Sequence, residues 1–437
     1  MLRPVIFDDG KGMLQALTDL RPAYAIRTGC LTTIERLTRH FGVRPVALWV
    51  PDELREIARL RASDPVNPDH LGSGPVTLIN GRCALPIPGI ADLPLGTWFI
   101  EEGSGDIVAG CCDGASAMAF LSGRRPPVGD KRVVPAPALL SRPWHVRSFR
   151  DRAMRLDLEL LLRPADPARD GVGSDDLFEG PSEGMPPDAA TPKALVIPGH
   201  AVSIDPSAKV YPGAVLDAEG GPIVIGRDAI VRPGAMLIGP CYVGTGSTVL
   251  ERATIRPFTA IGSHCKVNGE VGGTIFQGYS NKAHDGYLGD AYVGEWVNLG
   301  AGTTVSNLLN TYGEVVSKAA PGAGNERTGE MFLGPVIGDH VKTAINTRIM
   351  TGSVLATGGM FATTAPVSGA TGRFVWRTDA GEQTFRASKF IDTARTVMAR
   401  RRVEMHEAYA RRLEALHAAS TTPTPPTTNS GTSPGGR

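Results

Sequence analysis

The chain has 437 residues, and only 6% of them are aromatic. It lacks any apolar run of the ~18 residues that a membrane-spanning helix needs, so no span is expected. It lacks a charge excess: 45 Lys and Arg against 44 Asp and Glu leave a formal charge of +1. A balance this even supplies no global attraction to nucleic acid or to an anionic membrane. It also lacks any Cys-x-x-Cys pair. The six cysteines are Cys30, Cys83, Cys111, Cys112, Cys241 and Cys265, spaced for neither zinc nor a disulfide framework, and they read as small core residues. Asp8 and Asp9 lie where a signal peptide would carry its apolar stretch. The expectation is a cytoplasmic protein in a reducing compartment.

What the chain has in excess is glycine, with 53 residues, and proline, with 35. The usual glycine share is ~7%. Disorder would bring low hydrophobicity, yet 42% of the chain is hydrophobic. The remaining reading is a repeat with many tight turns. Counting in sixes from Ile225 gives Val231, Leu237, Val243, Val249, Ile255, Ile261 and Val267. The step extends upstream through Ile204, Val210 and Leu216. Downstream it returns in Tyr287, Val293, Leu299 and Val305, then in Ile337, Thr343, Ile349 and Leu355. Six matches neither the 3.6-residue period of a helix nor the 2-residue period of a strand. It fits a solenoid with three flat faces per coil and one aliphatic peg per face, turned by glycines and small residues. One coil cannot bury its pegs, but a stack of coils can. The spacing therefore predicts a left-handed parallel β-helix of hexapeptide repeats. The repeat breaks at about 268–281 and at 306–331, and a break of that kind reads as a loop on one face.

Residues 1–163 read as an α/β domain. "PVIFDD", "RPVALWV" and "PVTLINGRCALP" are strand-like. "GCLTTIERLTRHFG" is a helix with Ile34, Leu37 and Phe41 on one stripe and Gly42 as its stop. "SFRDRAMRLDLELLL" is a helix leaving the domain. A Pro-, Asp- and Gly-rich linker is expected at 164–192, the solenoid at 193–372, and at 385–418 an amphipathic helix that either caps the open solenoid end or makes a subunit contact. Ile391, Ala394, Met398, Met405, Tyr409, Leu413 and Leu416 form its apolar face, and 419–437 reads as a disordered tail.

The stretch "NKAHDGYLGDAYVGEWVNLGAGT" resembles the β-helix of the bacterial bifunctional N-acetylglucosamine-1-phosphate uridyltransferase/glucosamine-1-phosphate acetyltransferase. The shared pattern is Lys-Ala-x-His, Tyr-Leu-Gly-Asp and Asn-Leu-Gly-Ala-Gly-Thr. The whole chain is more similar to a branch of sugar nucleotidyltransferases with a short N-terminal domain, through "FDD", "LTDLRP", "NGR" and "GYSNKAHDGYLGD". The resemblance implies His284 as the general base that takes a proton from a sugar amine attacking acetyl-CoA. It implies Tyr287 and Asn298 at the sugar, Lys282 in substrate binding and, in "TIRPF", Arg256 at the sugar phosphate. It places Asn307, Gly300 and Ala301 at the acyl-CoA. It implies acetyl-CoA or another acyl-CoA as cosubstrate, a sugar phosphate or nucleotide sugar as partner, and a homotrimer. No metal ligands are expected in the solenoid.

The chemistry agrees with that implication. Acyl transfer needs a base with a near-neutral pKa, which suits histidine. A sugar phosphate suits the guanidinium fork. In the sixfold register Tyr287, Val293 and Leu299 point inward, with Gly289, Gly294 and Gly300 as corners. Lys282, His284, Asp285 and Asn298 then lie off the inward register.

The chain departs from the family in two places. A lysine pair is replaced by Gly272 and Gly273. In the N-terminal domain Gly10, Lys11 and Gly12 echo a phosphate-cradling loop that has lost its arginine, Ala23 stands where a lysine is typical, and Arg82 stands in "NGR" where the family has aspartate. Asp8 and Asp9 either bind metal or end a strand, and Mg2+ is expected only if this domain is active. The fold expected is thus a short α/β nucleotidyltransferase-like domain with degraded motifs, then the β-helix, then a C-terminal helix. One rival is a non-catalytic sugar-nucleotide-binding or scaffold protein. Another is a zinc carbonic anhydrase, which would need a close histidine pair among His264, His284 and His340.

Overall fold

The computed structural model describes residues 2–124, 129–163 and 194–421. The linker expected at 164–192 lies outside the described residues, as does the expected tail beyond Thr421.

The N-terminal domain is built on strands β1 (Pro4–Phe7), β2 (Ala47–Trp49), β3 (Pro75–Asn80), β4 (Thr97–Glu101), β5 (Ile107–Asp113) and β6 (Asp130–Val134). They form one sheet in the order β2-β1-β3-β5-β4-β6. β1 pairs in parallel with β2 and β3, while β5 runs antiparallel to β3 and β4. The predicted helix is α1 (Thr33–Phe41). Thr32 and Glu35 close a reciprocal capping box at its start, and Gly42 ends it at φ 66°. The departing helix is α2 (His145–Leu161). The two are tied by a buried fork: Arg36 Nε donates to Asp157 Oδ1 at 2.6 Å and Arg36 Nη2 to Oδ2 at 2.7 Å.

From residue 195 the chain coils into a parallel β-solenoid with three sheets. One sheet ends in Thr254–Ile255, Glu270–Gly272 and Tyr287–Gly289, and is called the Tyr287 sheet below. A second, the Lys282 sheet, ends in Lys266–Val267 and Asn281–Lys282. The third has eight strands, including Ile275–Gly278 and Tyr292–Glu295. Because it meets the N-terminal domain, it is called the docked sheet.

The sixfold pegs from Ile225 to Val267 are all buried in one core, as are Val293, Leu299, Ile337, Ile349 and Leu355. Two register expectations fail. Leu288, not Tyr287, is the inward peg, and Lys282 pairs with Val267 and points inward at 2% exposure. The cause is corner length. The chain makes no loop at 268–281 but shortens its corners, so the pegs run Val267, Val271, Phe276, Lys282, Leu288 and Val293. The last step, Leu288 to Val293, is five residues, so a count of six back from Val293 lands on Tyr287.

The corner expectation is corrected too. Gly289 and Gly294 lie in strands. The left-handed turns that follow are made by Asp290 at φ 47° and Trp296 at φ 61°. Gly294 instead gives room: a Cβ there would stand 2.7 Å from Asp339 Oδ1. Only the second break is a true insertion, with a short antiparallel pair, Val316–Ser317 against Glu326–Arg327.

Outward residues of the docked sheet, Val224, Ala260, Ile275, Tyr292, Val336 and Val354, pack against Leu14, Leu17, Ile26 and Phe149 of the N-terminal domain. A charged knot closes this contact. Arg21 Nη2 meets Asp339 Oδ1 at 2.7 Å and Glu295 Oε2 at 3.0 Å, and Arg61 grips both oxygens of Glu295 at 3.0 and 2.7 Å. Burial alone would raise the Glu295 carboxyl, but Arg61 and Arg21 outweigh it and hold it well below the carboxylate range.

The C-terminal amphipathic segment divides into α3 (Ala387–Ala399) and α4 (Glu407–Thr421), because Arg402 turns left-handed at φ 60°. The pair does not cap the solenoid end. Ile391, Ala394, Met398, Tyr409, Leu413 and Leu416 pack on a corner lined by Tyr279, Trp296 and Phe374, and on Leu20 and Ile57 of the N-terminal domain. A hairpin, Val375–Thr378 with Gly381–Thr384, continues the last coil instead.

Two stability tests follow from this packing. Glu295→Ala leaves two buried guanidiniums without their shared acceptor and should cost about 3–5 kcal/mol, read as a lower urea midpoint. For Lys282, burial pushes the ammonium from 10.5 down to about 8, with Asp285 opposing. Between those two values the unfolded chain holds a proton that the folded chain has released, so stability rises with pH. The stability of the wild type relative to Lys282→Met should therefore improve by about 1.4 kcal/mol per pH unit in that window. A difference independent of pH would contradict the buried placement.

Candidate functional site

His284 sits in the turn between strands Asn281–Lys282 and Tyr287–Gly289, on the corner that joins the Lys282 and Tyr287 sheets, and it is exposed. Its turn is held from below. Lys282 Nζ donates to the carbonyls of His284, at 2.7 Å, and Asn268, at 3.1 Å. It is held from above as well, since the Gly302 N–H donates to the Asp285 carbonyl at 3.1 Å. Gly286, at φ 124°, lies against Gly302 and Thr303 with no space for a Cβ. Lys282 is thus a scaffold for the histidine's turn and does not face a ligand, which corrects its expected role in binding substrate. Gly300 and Ala301 occupy the same corner one coil on. The Gly300 N–H donates inward to Thr343 Oγ1 at 3.0 Å, and the Ala301 carbonyl accepts from the Asn346 N–H at 2.7 Å.

Tyr287 stands outward on its own sheet beside that corner. Its hydroxyl oxygen accepts from Asn307 Nδ2 at 3.0 Å. Burial first, then the charges of Asp290 and Glu270, raise the phenol above its ordinary value, so it stays protonated near neutral pH. Arg256 projects from the same sheet, two strands away, and meets Glu270 Oε1 through Nε at 2.5 Å. It lies across Gly272, where a Cβ would come 3.1 Å from the Arg256 Cβ. Asn298 is exposed on the Lys282 sheet and accepts from Asn281 Nδ2 at 2.9 Å. The structure therefore brings Arg256, Tyr287 and Asn307 to one face, puts His284, Gly300 and Ala301 on its edge, and leaves Asn298 around the corner.

Three residues outside the sequence-predicted set complete the face. Asp290 Oδ2 accepts from Asn307 Nδ2 at 2.8 Å, and Asp290 Oδ1 accepts from Arg147 Nε at 3.0 Å and Arg150 Nη1 at 2.7 Å. Both arginines come from α2 of the N-terminal domain. Arg150 fills the space at Gly273, where a Cβ would lie 2.5 Å from its Nη1. A cation thus stands beside the position where the family's lysine pair is missing. The only signal in the sequence was the aspartate of "YLGD"; nothing near it pointed to helix residues about 140 positions earlier.

In the N-terminal domain Gly10, Lys11, Gly12, Asp8 and Arg82 do converge. Asp8 accepts from the N–H groups of Gly10, at 2.9 Å, and Ala23, at 2.7 Å, and its burial raises its pKa against those bonds. Asp9 accepts from the Lys11 N–H at 3.1 Å and from the Arg82 fork at 2.8 and 2.7 Å. Asp106 accepts from Arg82 Nη2 and Lys11 Nζ, both at 2.6 Å. Two loop N–H groups are turned onto the chain's own carboxylates, and each carboxylate is already engaged by N–H donors or cations. Among the described residues no group of three or more His, Cys, Asp or Glu could hold a metal ion. Mg2+ held here by Asp9 or Asp106 would have to displace Arg82 and Lys11 from those carboxylates.

The 306–331 insertion links the two regions. Its Val315 and Ala319, with Leu333, pack on Trp144 and Met13, and its Glu326 meets Arg142 at 2.7 Å. The three histidines of the zinc reading do not converge. His264 and His340 belong to an aromatic column with Tyr279 and Trp296, with successive ring centroids 4.8, 4.5 and 6.3 Å apart, whereas His284 is on another corner.

Known proteins bear on both halves. Residues 4–164 match the family described as sugar nucleotidyl transferase. A bifunctional sugar-1-phosphate nucleotidylyltransferase/acetyltransferase of Sulfurisphaera tokodaii is 34% identical over 134 residues, covering 30% of this chain and 33% of that protein. The bifunctional protein GlmU of Corynebacterium efficiens is 30% identical over 204 residues, covering 37% and 39%. The GlmU of Gloeobacter violaceus is 45% identical over 67 residues, covering 15% of each chain. The chain thus spans well under half the length of these relatives. Among solved structures, the UDP-N-acetylglucosamine acyltransferase of Francisella novicida aligns with 46% of this chain and 73% of its own, at 13% identity and a TM-score of 0.19. The resemblance read from the motifs is borne out: this chain matches the sugar nucleotidyl transferase family in residues 4–164 and is similar to bifunctional nucleotidylyltransferase/acetyltransferases over part of its length.

Proposed function

We propose that the solenoid transfers an acyl group, acetyl in the first instance, from acyl-CoA to an amino-sugar phosphate or nucleotide sugar, with His284 as general base. The observation that carries this reading is the corner itself. An exposed imidazole stands on a turn held from both sides, one coil from the Gly300–Ala301 backbone and beside the protonated Tyr287 hydroxyl. In the reaction the sugar amine attacks the thioester carbonyl. The new C–N bond forms as the C–S bond breaks, and the amine proton passes to the imidazole and then to the departing CoA thiolate. Positioning of the two substrates would supply much of the rate. Arg256 is the cation for the sugar phosphate, and Asn307 lies on the acyl-CoA side. A homotrimer, with sites between neighbouring copies, agrees with this reading.

For the N-terminal domain a second reading is favoured by the loop geometry. With the N–H groups of Gly10 and Lys11 bonded to Asp8 and Asp9, the loop offers phosphates less than a free cradle would. A domain that binds a sugar nucleotide, or only docks on the solenoid, fits this arrangement better than one that turns it over.

These readings are tested separately. His284→Ala should lower thiol release from acetyl-CoA, in the presence of hexosamine phosphates, by about 10²–10⁴-fold while leaving the melting temperature unchanged. Full turnover in that variant would remove His284 from the role of base. With nucleoside triphosphates, Mg2+ and sugar phosphates, the wild type should release no pyrophosphate. Release that Asp9→Asn or Asp106→Asn abolishes would overturn the non-catalytic reading of the N-terminal domain.

A further inference from the structure

The hydrogen bonds around Asn307 have a direction that the acyl-transfer reading does not use. Asn307 Nδ2 lies 2.8 Å from Asp290 Oδ2 and 3.0 Å from Tyr287 Oη. A carboxylate only accepts, so the amide nitrogen, not the amide oxygen, must face Asp290. That fixes which way round the amide sits. Its second N–H then points at Tyr287, whose oxygen has to accept. The phenol hydrogen is left to donate away from Asn307, to whatever occupies the face. Without a fixed carboxylate the amide could turn over, present its oxygen to Tyr287 and take up the phenol hydrogen itself.

Asp290 is in turn fixed from the other domain. Arg147 Nε and Arg150 Nη1, both on α2, hold Oδ1 at 3.0 and 2.7 Å, and Arg150 Nη1 also donates to the Gly273 carbonyl. Arg147 reaches Glu330 of the insertion at 3.5 Å, and Arg150 is itself buried. Asp290 sits at φ 47° on a corner, with its N–H donating to the Gly272 carbonyl and its carbonyl accepting from the Gly334 N–H. Its backbone is therefore held by the coils on either side, and only its side chain looks toward α2 and Asn307.

We propose that Asp290 is a positioning residue for the acyl-acceptor site: clamped by Arg147 and Arg150 of the N-terminal domain, it orients the Asn307 amide so that the Tyr287 hydroxyl is a donor toward the bound sugar. The proposal rests on the acyl-transfer reading. It gives the N-terminal domain a part in that chemistry that requires no nucleotidyl transfer, because the domain supplies the charges that set a hydrogen-bond direction in the solenoid. The face orients an acceptor that carries a hydrogen-bond-accepting group beside its phosphate, as a sugar hydroxyl, ring or amide oxygen does.

The experiment uses the full chain and the variants Asp290→Asn, Tyr287→Phe and the double variant. Asparagine tolerates the left-handed backbone at 290, which guards the fold. With acetyl-CoA and a panel of hexosamine phosphates, Asp290→Asn should raise KM for the sugar about tenfold. In the Tyr287→Phe background the same substitution should cost nothing further, because there is no hydroxyl left to orient. An equal penalty in both backgrounds would mean a merely structural role and overturns the proposal. A second readout needs no turnover. Binding of a hexosamine phosphate, followed by calorimetry, should weaken about tenfold in Asp290→Asn but not when the same substitution is made in Tyr287→Phe, and equal weakening in both backgrounds overturns the proposal. If the wild type transfers no acyl group while this binding pattern holds, the relay stands and the acyl-transfer reading falls. If His284→Ala abolishes transfer while Asp290→Asn changes neither KM nor binding, the acyl-transfer reading stands and the relay falls.

Discussion

The structure depends on one column of inward pegs. A coil of about eighteen residues has no interior of its own, so each aliphatic peg must find the peg of the next coil. That requirement holds the three sheets in parallel register from Val210 and Val231 to Thr343 and Phe361 on the Lys282 sheet. It also makes exceptions visible. Lys282 and Thr343 take peg positions at the corner that carries His284 and Gly300, and they spend their polar atoms on the backbone of that corner. The core becomes polar where the turns have to be held in place.

With the pegs fixed inward, the outward residues of each sheet have different fates. On the docked sheet they are apolar, and the N-terminal domain covers them. The contact is sealed by Arg21, Arg61, Glu295 and Asp339, a buried knot whose charges are mutually compensated. The same docking carries α2 to the edge of the Tyr287 sheet, where Arg147 and Arg150 meet Asp290. A domain whose own loop motifs are engaged internally thus contributes two cations to the neighbouring face.

Much of this was legible in the sequence. The sixfold count found the pegs from Ile225 to Val267 and from Ile337 to Leu355, because six residues per face is a spacing no helix or ordinary strand imitates. The stripe of Ile34, Leu37 and Phe41 and the stop at Gly42 marked a helix, and the structure adds the Thr32–Glu35 cap at its start. The count failed at Tyr287 because the step from Leu288 to Val293 is five residues, and a period cannot announce its own phase slip. It also mistook Gly289 and Gly294 for turns. Glycine marks both positive φ and close packing, and here the close packing lay within strands while Asp290 and Trp296 made the turns. The C-terminal segment showed one apolar stripe, but a stripe does not say which surface it meets. It met an aromatic corner and the N-terminal domain, not the solenoid end.

The sequence by itself determined the repeat, its six-residue step, the insertion at 306–331 and the motif that singles out His284, because each is written in neighbouring residues. The tertiary structure alone decided that Lys282 is a buried support, that Tyr287 faces outward, and that Arg147 and Arg150 reach Asp290. Those outcomes depend on corner lengths that set the phase of the coil and on one domain packing against another, so the partners lie about 140 positions apart and share no local pattern.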